Sequence, residues 1–127
     1  EELKSFSKGN QLKNVNLKGL HADMVGLVCT YDVFIMASLY EGFSVALMEA
    51  MASGLPAVLP DLPVFREMGG DAALYFHPFE AESLTELLEN LTPQKLVSLS
   101  EKSFTQASLL ARKEAYLKKL LSIYAIN

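Results

Sequence analysis

The sequence predicts an α/β domain built on a parallel sheet. Three short apolar runs, at 32–38, 56–60 and 72–78, are rich in β-branched and aromatic residues. Such runs suit strands covered on both faces. Segments of helical periodicity lie between them, and the alternation persists to about residue 83, the pattern of βαβ units. In such sheets ligands bind beyond the carboxyl ends of the strands.

Each element has its own local signal. "EELKSFSKG" (1–9) reads as the tail of a helix, with Gly9 as its C-cap. "NVNLKG" (14–19) alternates Val15 and Leu17 with polar residues and reads as a short strand. "ADMVGLVCTY" (22–31) spaces Met24, Leu27, Val28 and Tyr31 as a helix does, with Asp23 as its N-cap. "DVFIMAS" (32–38) is the first buried strand. A helix follows from about Ser44 to Ser53, ended by Gly54. "PAVLP" (56–60) is a strand bounded by prolines. "DLPVFREMGGD" (61–71) reads as a loop with at most one helical turn. "AALYFHP" (72–78) is the last strand. Beyond Pro78 the chain turns helical, at 83–91 and again from Thr92, an N-cap followed by Pro93 in the first helical position. Leu117, Leu120, Leu121 and Tyr124 stripe a closing helix.

The chain has 127 residues and reads as one domain, with 83–127 its helical carboxy-terminal part. Its net charge of −4 argues against non-specific nucleic-acid binding. The single cysteine, Cys29, excludes an internal disulfide framework and reads as a small buried hydrophobe in a reducing, cytoplasmic setting. No apolar run reaches the ~20 residues of a membrane span, and no signal peptide is evident. The chain opens without methionine and is expected to be a piece of a longer protein.

"YEGFSVALMEAMASG" (40–54) holds two acids, Glu41 and Glu49, around an apolar run. The helix is apolar nearly all round, so burial on most faces is expected. A buried carboxylate needs a partner. Glu49 lies over Val45 at helical spacing and points toward the helix start, where the N–H groups of Phe43, Ser44 and Val45 favour an anion such as phosphate. Carboxylates accept hydrogen bonds from vicinal sugar hydroxyls. One small volume thus offers donors to phosphate and acceptors to hydroxyls, as a nucleotide sugar requires. The alternative is that Glu49 pairs with a local Lys or Arg and Glu41 is an exposed loop acid.

"YEGFSVALMEAMASGLPAVLPD" (40–61) closely resembles the E-x7-E segment of family 4 glycosyltransferases, the group 1 family with the GT-B fold. "NVNLKG", "VCTYDVFIMASLYEGF", "LPVFREMGGDAALYFHPFEAESLTELLENL" and "EAYLKKLLSIY" resemble its successive segments, so the likeness covers nearly all the chain. The resemblance implies a Rossmann-like parallel sheet with helices on both faces. It implies the carboxy-terminal, donor-binding domain of a retaining glycosyltransferase, here without its first strands. Glu41 would contact the donor sugar as the catalytic-site acid. Gly42, Phe43, Ser44 and Val45 would hold sugar and diphosphate through backbone N–H groups, and Glu49 would accept from the ribose. Leu20 and His21 would border the nucleobase. No cofactor and no metal are implied beyond the nucleotide-diphosphate sugar itself.

The same resemblance puts acceptor binding in an amino-terminal domain that is not in this chain, and a diphosphate-clamping Arg…Lys pair in strands that precede it. The fragment alone is therefore expected to be inactive. Arg66 is a candidate substitute cation, against the plainer reading of a solvated loop residue. The strand at 33–37 is expected to have a bare edge, closed either by 14–19 or by a second copy of the chain. His21 and His77 have no triad partners. Arg112, Lys113, Lys118 and Lys119 form a basic face, solvated or touching the inner face of a membrane. Two other readings stand: a nucleotide-sugar epimerase of the same architecture, and a doubly wound interaction module without sugar chemistry. A phospho-receiver's acidic cluster and lysine are not found.

Overall fold

The computed structural model describes residues 1–112. Three parallel strands, β1 (Phe34–Ile35), β2 (Ala57–Pro60) and β3 (Ala73–Phe76), form one sheet in the order β1-β2-β3. Phe34 pairs with Ala57, and Ala57 in turn with Ala73. Helix α1 (Glu2–Gly9) and α2 (Met24–Val28) precede the sheet. Helix α3 (Val45–Ala52) links β1 to β2, and α4 (Pro63–Gly69), with a 3₁₀ turn at Gly70–Ala72, links β2 to β3. Helices α5 (Ala81–Glu89) and α6 (Pro93–Leu110) follow. The expected α/β class and parallel sheet are therefore present, but the strand expected over 32–38 is reduced to Phe34–Ile35 and is not buried, because its outer edge is unpaired among the described residues and Ile35 is 43% exposed.

All four residues of β2 are buried, as a central strand covered on both faces requires. The core is Leu47 and Met51 of α3, Leu59 of β2, Phe65 and Met68 of α4, and Ala107 of α6. Helix α6 packs against α3, α4 and the 3₁₀ turn. There the buried Ser103 hydroxyl donates to the Ala72 carbonyl at 3.3 Å, and Gln106 Nε2 to the Met68 carbonyl at 3.0 Å.

Several local signals act as read. Asp23 caps α2, its Oδ1 accepting the Gly26 N–H at 2.8 Å. Thr92 Oγ1 accepts the Lys95 N–H at 3.2 Å, with Pro93 in the first turn. Helix α3 ends in a Schellman turn: Leu55 N–H reaches Ala50 O at 3.0 Å and Gly54 N–H reaches Met51 O at 2.9 Å. Gly54 takes φ +75°, which only glycine adopts without cost.

Other expectations are corrected. The segment 14–19 is not a strand and does not close the β1 edge; Val15 and Leu17 are exposed. The two-residue β1 offers at most a short ladder, and its outer edge has no strand partner among the described residues. Helix α1 runs through Gly9, its C-cap is Asn10, and the left-handed residue is Gln11, at φ +51°. The segment 61–71 is mostly helical, because Pro63 opens a turn whose Phe65 and Met68 fall on one buried face. Cys29 is exposed, in the turn after the short α2. The closing stripe from Leu117 to Tyr124, and Lys113, Lys118 and Lys119, lie outside the described residues.

Candidate functional site

The segment from Met36 to Ser44 leaves the carboxyl end of β1 and enters α3, the position where an open α/β sheet builds its sites. Ser44 fixes its far end. It is 4% exposed and is the N-cap of α3: its Oγ accepts the Leu47 N–H at 3.3 Å. The same hydroxyl donates to Met36 Sδ at 3.4 Å, tying the helix start to the residue following β1. Glu41, half-buried, sits within the span so clamped.

The first intrahelical bond of α3 runs from Met48 N–H to Ser44 O at 3.1 Å, and Leu47 N–H is taken by Ser44 Oγ. Val45 and Ala46 therefore have no intrahelical acceptor for their N–H groups, as at any helix start. Gly42 is exposed, its φ is not positive, and an added Cβ would meet nothing within 4 Å among the described residues. The described residues thus place no demand for glycine there.

Helix α3 buries Leu47, Ala50 and Met51 only. Val45, Ala46 and Glu49 lie on its open face, Val45 at 61% exposure. This corrects the expectation of a helix buried on most sides. Glu49 is exposed, so the helix tolerates its charge without a partner, and among the described residues neither Glu41 nor Glu49 has a side-chain hydrogen bond or ion pair. Phe43 is 60% exposed. The structure thus brings Glu41, Gly42, Phe43, Ser44, Val45 and Glu49 onto one continuous turn-and-helix.

Leu20 and His21 come from a separate loop. Leu20 is fully exposed, and His21 Nδ1 lies 3.2 Å from the Asp23 carbonyl oxygen. Their loop leads into α2, which packs against α3. His77 Nδ1 is 3.5 Å from Glu80 Oε1, and its ring meets Phe79 edge-on.

Arg66 is neither a loop residue nor a free cation. It sits on α4 and grips Asp61, just past β2, through Nε–Oδ1 at 2.6 Å and Nη2–Oδ2 at 2.7 Å. That bidentate bond holds the Asp61 carboxyl below the ordinary carboxylate range and raises Arg66 above its own. The guanidinium also stacks on Tyr75, whose partial burial pushes its phenol up to about 12. Sequence reading missed this cluster. Its findable signal was the Pro63 helix start, which puts Arg66 one turn along. Among the described residues no three His, Cys, Asp or Glu converge as a metal set, and no helix is long and apolar enough to cross a membrane.

Comparison with known proteins agrees with this architecture. The family model for glycosyl transferases group 1 matches residues 1–93. The chain belongs to that family. It is 31% identical over 97 residues to the UDP-N-acetylglucosamine--peptide N-acetylglucosaminyltransferase GtfA subunit of Streptococcus pneumoniae, covering 73% of this chain and 19% of that one. It is 37% identical over 57 residues to the O-antigen chain mannosyltransferase RfbU of Salmonella typhimurium, covering 45% of this chain and 16% of that one. The chain thus spans less than a fifth of each of these relatives. Sucrose-phosphate synthase from Thermosynechococcus elongatus superposes with a TM-score of 0.73 over 98% of this chain and 33% of its own, at 17% identity, a likeness of fold.

Proposed function

We propose that this chain is the donor-binding part of a glycosyltransferase that moves a sugar from a nucleotide-diphosphate sugar to an acceptor, with retention at the anomeric carbon. The observation that carries the proposal is the clamped turn at 41–45 opening onto α3, with Glu49 one helical turn beyond Val45 on the uncovered face. Glycine at 42, which the described residues do not require, suits close approach of a ligand to the backbone.

In this reading Glu41 accepts from the donor sugar's hydroxyls. The N–H groups of Gly42, Phe43, Ser44 and Val45 face sugar and diphosphate, and Glu49 accepts from the ribose. Leu20 and His21 border the base. As the sugar–phosphate bond breaks, negative charge grows on the diphosphate, and the α3 start stabilises it electrostatically. No resident metal or cofactor is proposed. The acceptor would be bound elsewhere in a longer, cytoplasmic protein. A second copy pairing along β1, and a membrane contact through the basic residues from Arg112 onward, belong to the same proposal. An epimerase of like architecture is the second reading, and a module without sugar chemistry the third.

The test is an NMR titration of the chain with UDP, GDP and ADP and their sugar conjugates, repeated on Glu49→Ala. Shifts confined to 19–21 and 42–49 with one nucleotide, lost in the variant, support the reading. Because Glu49 is exposed, the substitution should change stability by no more than about 0.5 kcal/mol, so a lost response would report binding. No shift with any nucleotide at about 1 mM would end the claim that this chain binds donor by itself.

A further inference from the structure

An open surface groove, of about 500 Å³, lies between α1 and the segment that follows it. It shares no lining residue with 20–21 or 41–49. Lys4, Lys8 and Lys13 line it, together with Ser7 and Gln11, and no carboxylate does. None of the three lysines is ion-paired among the described residues. Lys4 and Lys8 are one turn apart on α1, a like-charge pair that weakens an isolated helix. Lys8 is favoured by the helix carboxyl end; that does not account for Lys4 or Lys13. Residues 1–20 carry four lysines against two glutamates in a chain whose net charge is −4, so the charge is segregated.

The turn that brings Lys13 round carries a second sign. Leu12 N–H bonds Ser7 O at 3.0 Å and Gln11 N–H bonds Lys8 O at 3.2 Å, a Schellman closure with Gln11 in the left-handed position. It is the one non-glycine residue with positive φ among the described residues. Glycine would serve the turn with less strain, but it would remove an amide from the wall of this groove.

We infer that this groove binds a phosphate-bearing anion. Three unpaired ammonium groups supply the charge, Ser7 and Gln11 supply neutral hydrogen bonds, and Leu12, Val15 and Leu17 give an apolar wall for the group that carries the phosphate. The phosphate could belong to a soluble molecule or to a lipid headgroup, since Leu3 and Phe6 stand exposed on the same helix.

The experiment titrates inorganic pyrophosphate into the isotope-labelled chain and follows backbone amides and lysine ammonium signals. Saturable shifts at Lys4, Ser7, Lys8, Gln11 and Lys13 are expected. Each of Lys4→Met, Lys8→Met and Lys13→Met should weaken binding about tenfold, while Lys102→Met, on exposed α6 surface, should not change it. Methionine keeps the apolar stem and the helix propensity, and unchanged amide positions elsewhere report an intact fold. A parallel arm measures binding to vesicles of phosphatidylglycerol mixed with phosphatidylcholine, against phosphatidylcholine alone. Lysine-dependent binding to the anionic vesicles, weakened by Leu3→Ser and Phe6→Ser and with no response to pyrophosphate, assigns the phosphate to a headgroup. Binding in neither arm overturns the inference. So does binding that survives loss of all three lysines, or a response confined to 42–46.

Discussion

The guanidinium of Arg66 lies 3.8 Å from the centroid of the Tyr75 ring while its edge grips Asp61. One side chain thus joins the end of β2, helix α4 and strand β3. Lysine could not replace it, because a single ammonium cannot offer two parallel N–H bonds and a flat face together.

That arrangement makes two pH predictions of opposite sense. The Asp61 carboxyl is held down mainly by its hydrogen bond to Arg66. Its contribution to stability is present above the unfolded value near 3.8 and is lost as pH falls through the lower folded value. The Tyr75 phenol is raised from 10.0 to about 12, chiefly by burial, so its contribution is intact below pH 10.0 and is lost as pH rises toward the folded value. A carboxyl-carbon NMR titration of the Arg66→Met variant should show Asp61 returning toward the ordinary range. Ultraviolet titration should find the phenolate step near pH 12 missing in Tyr75→Phe. An Asp61 titration unmoved by loss of Arg66 would refute the assigned cause.

Gly69 is required by close packing. A Cβ there would stand 2.6 Å from the Tyr75 hydroxyl, 2.9 Å from Ala73 Cβ and 3.1 Å from Leu59 Cδ1. The Tyr75 hydroxyl donates to Gly70 O at 2.8 Å, so it has little room to retreat. Gly69→Ala should destabilise by about 1–3 kcal/mol, measured by chemical denaturation. Tyr75→Phe in the same chain should recover part of that loss, since it removes the nearest atom, while the Ala73 contact remains.

Ser44→Ala removes both the N-cap bond to Leu47 and the bond to Met36. A loss of about 1 kcal/mol is expected. Amide exchange should rise first at 45–48, and the segment carrying Glu41 should loosen with it. Unchanged exchange there would show that the hydroxyl does not hold the turn.

Much of the fold was legible because its signals are local. The apolar runs that became β2 and β3, the glycine after α3, and the Thr92–Pro93 helix start each act within a few residues. The family likeness was legible in the stretch around Glu41 and Glu49. What escaped depends on neighbours. The alternation at 14–19 is a strand pattern, but a strand needs a ladder, and among the described residues 14–19 joins none. Glycines and prolines disguised α4, although Phe65 and Met68 carry its periodicity. Glu49 looked anomalous because α3 is apolar in composition, yet Val45 and Ala46 share its exposed side. Composition counts residues around a helix without saying which neighbours exist to cover them. The Asp61–Arg66–Tyr75 stack needed three elements in register, which no linear spacing reveals.

Helix α6 reaches back across the chain to the Ala72 and Met68 carbonyls, over separations of 31 and 38 residues. Strands β2 and β3 pair across a much shorter interval, Ala57 with Ala73. In a chain made from its amino end, the sheet can therefore assemble before Ser103 and Gln106 exist. Until they arrive, those carbonyls stay hydrated and the sides of α3 and α4 that α6 packs against lack their cover. Birth order thus makes α6 the latch of the domain, and the interval before it closes is when the nascent chain is most open to a chaperone or to a stray neighbour.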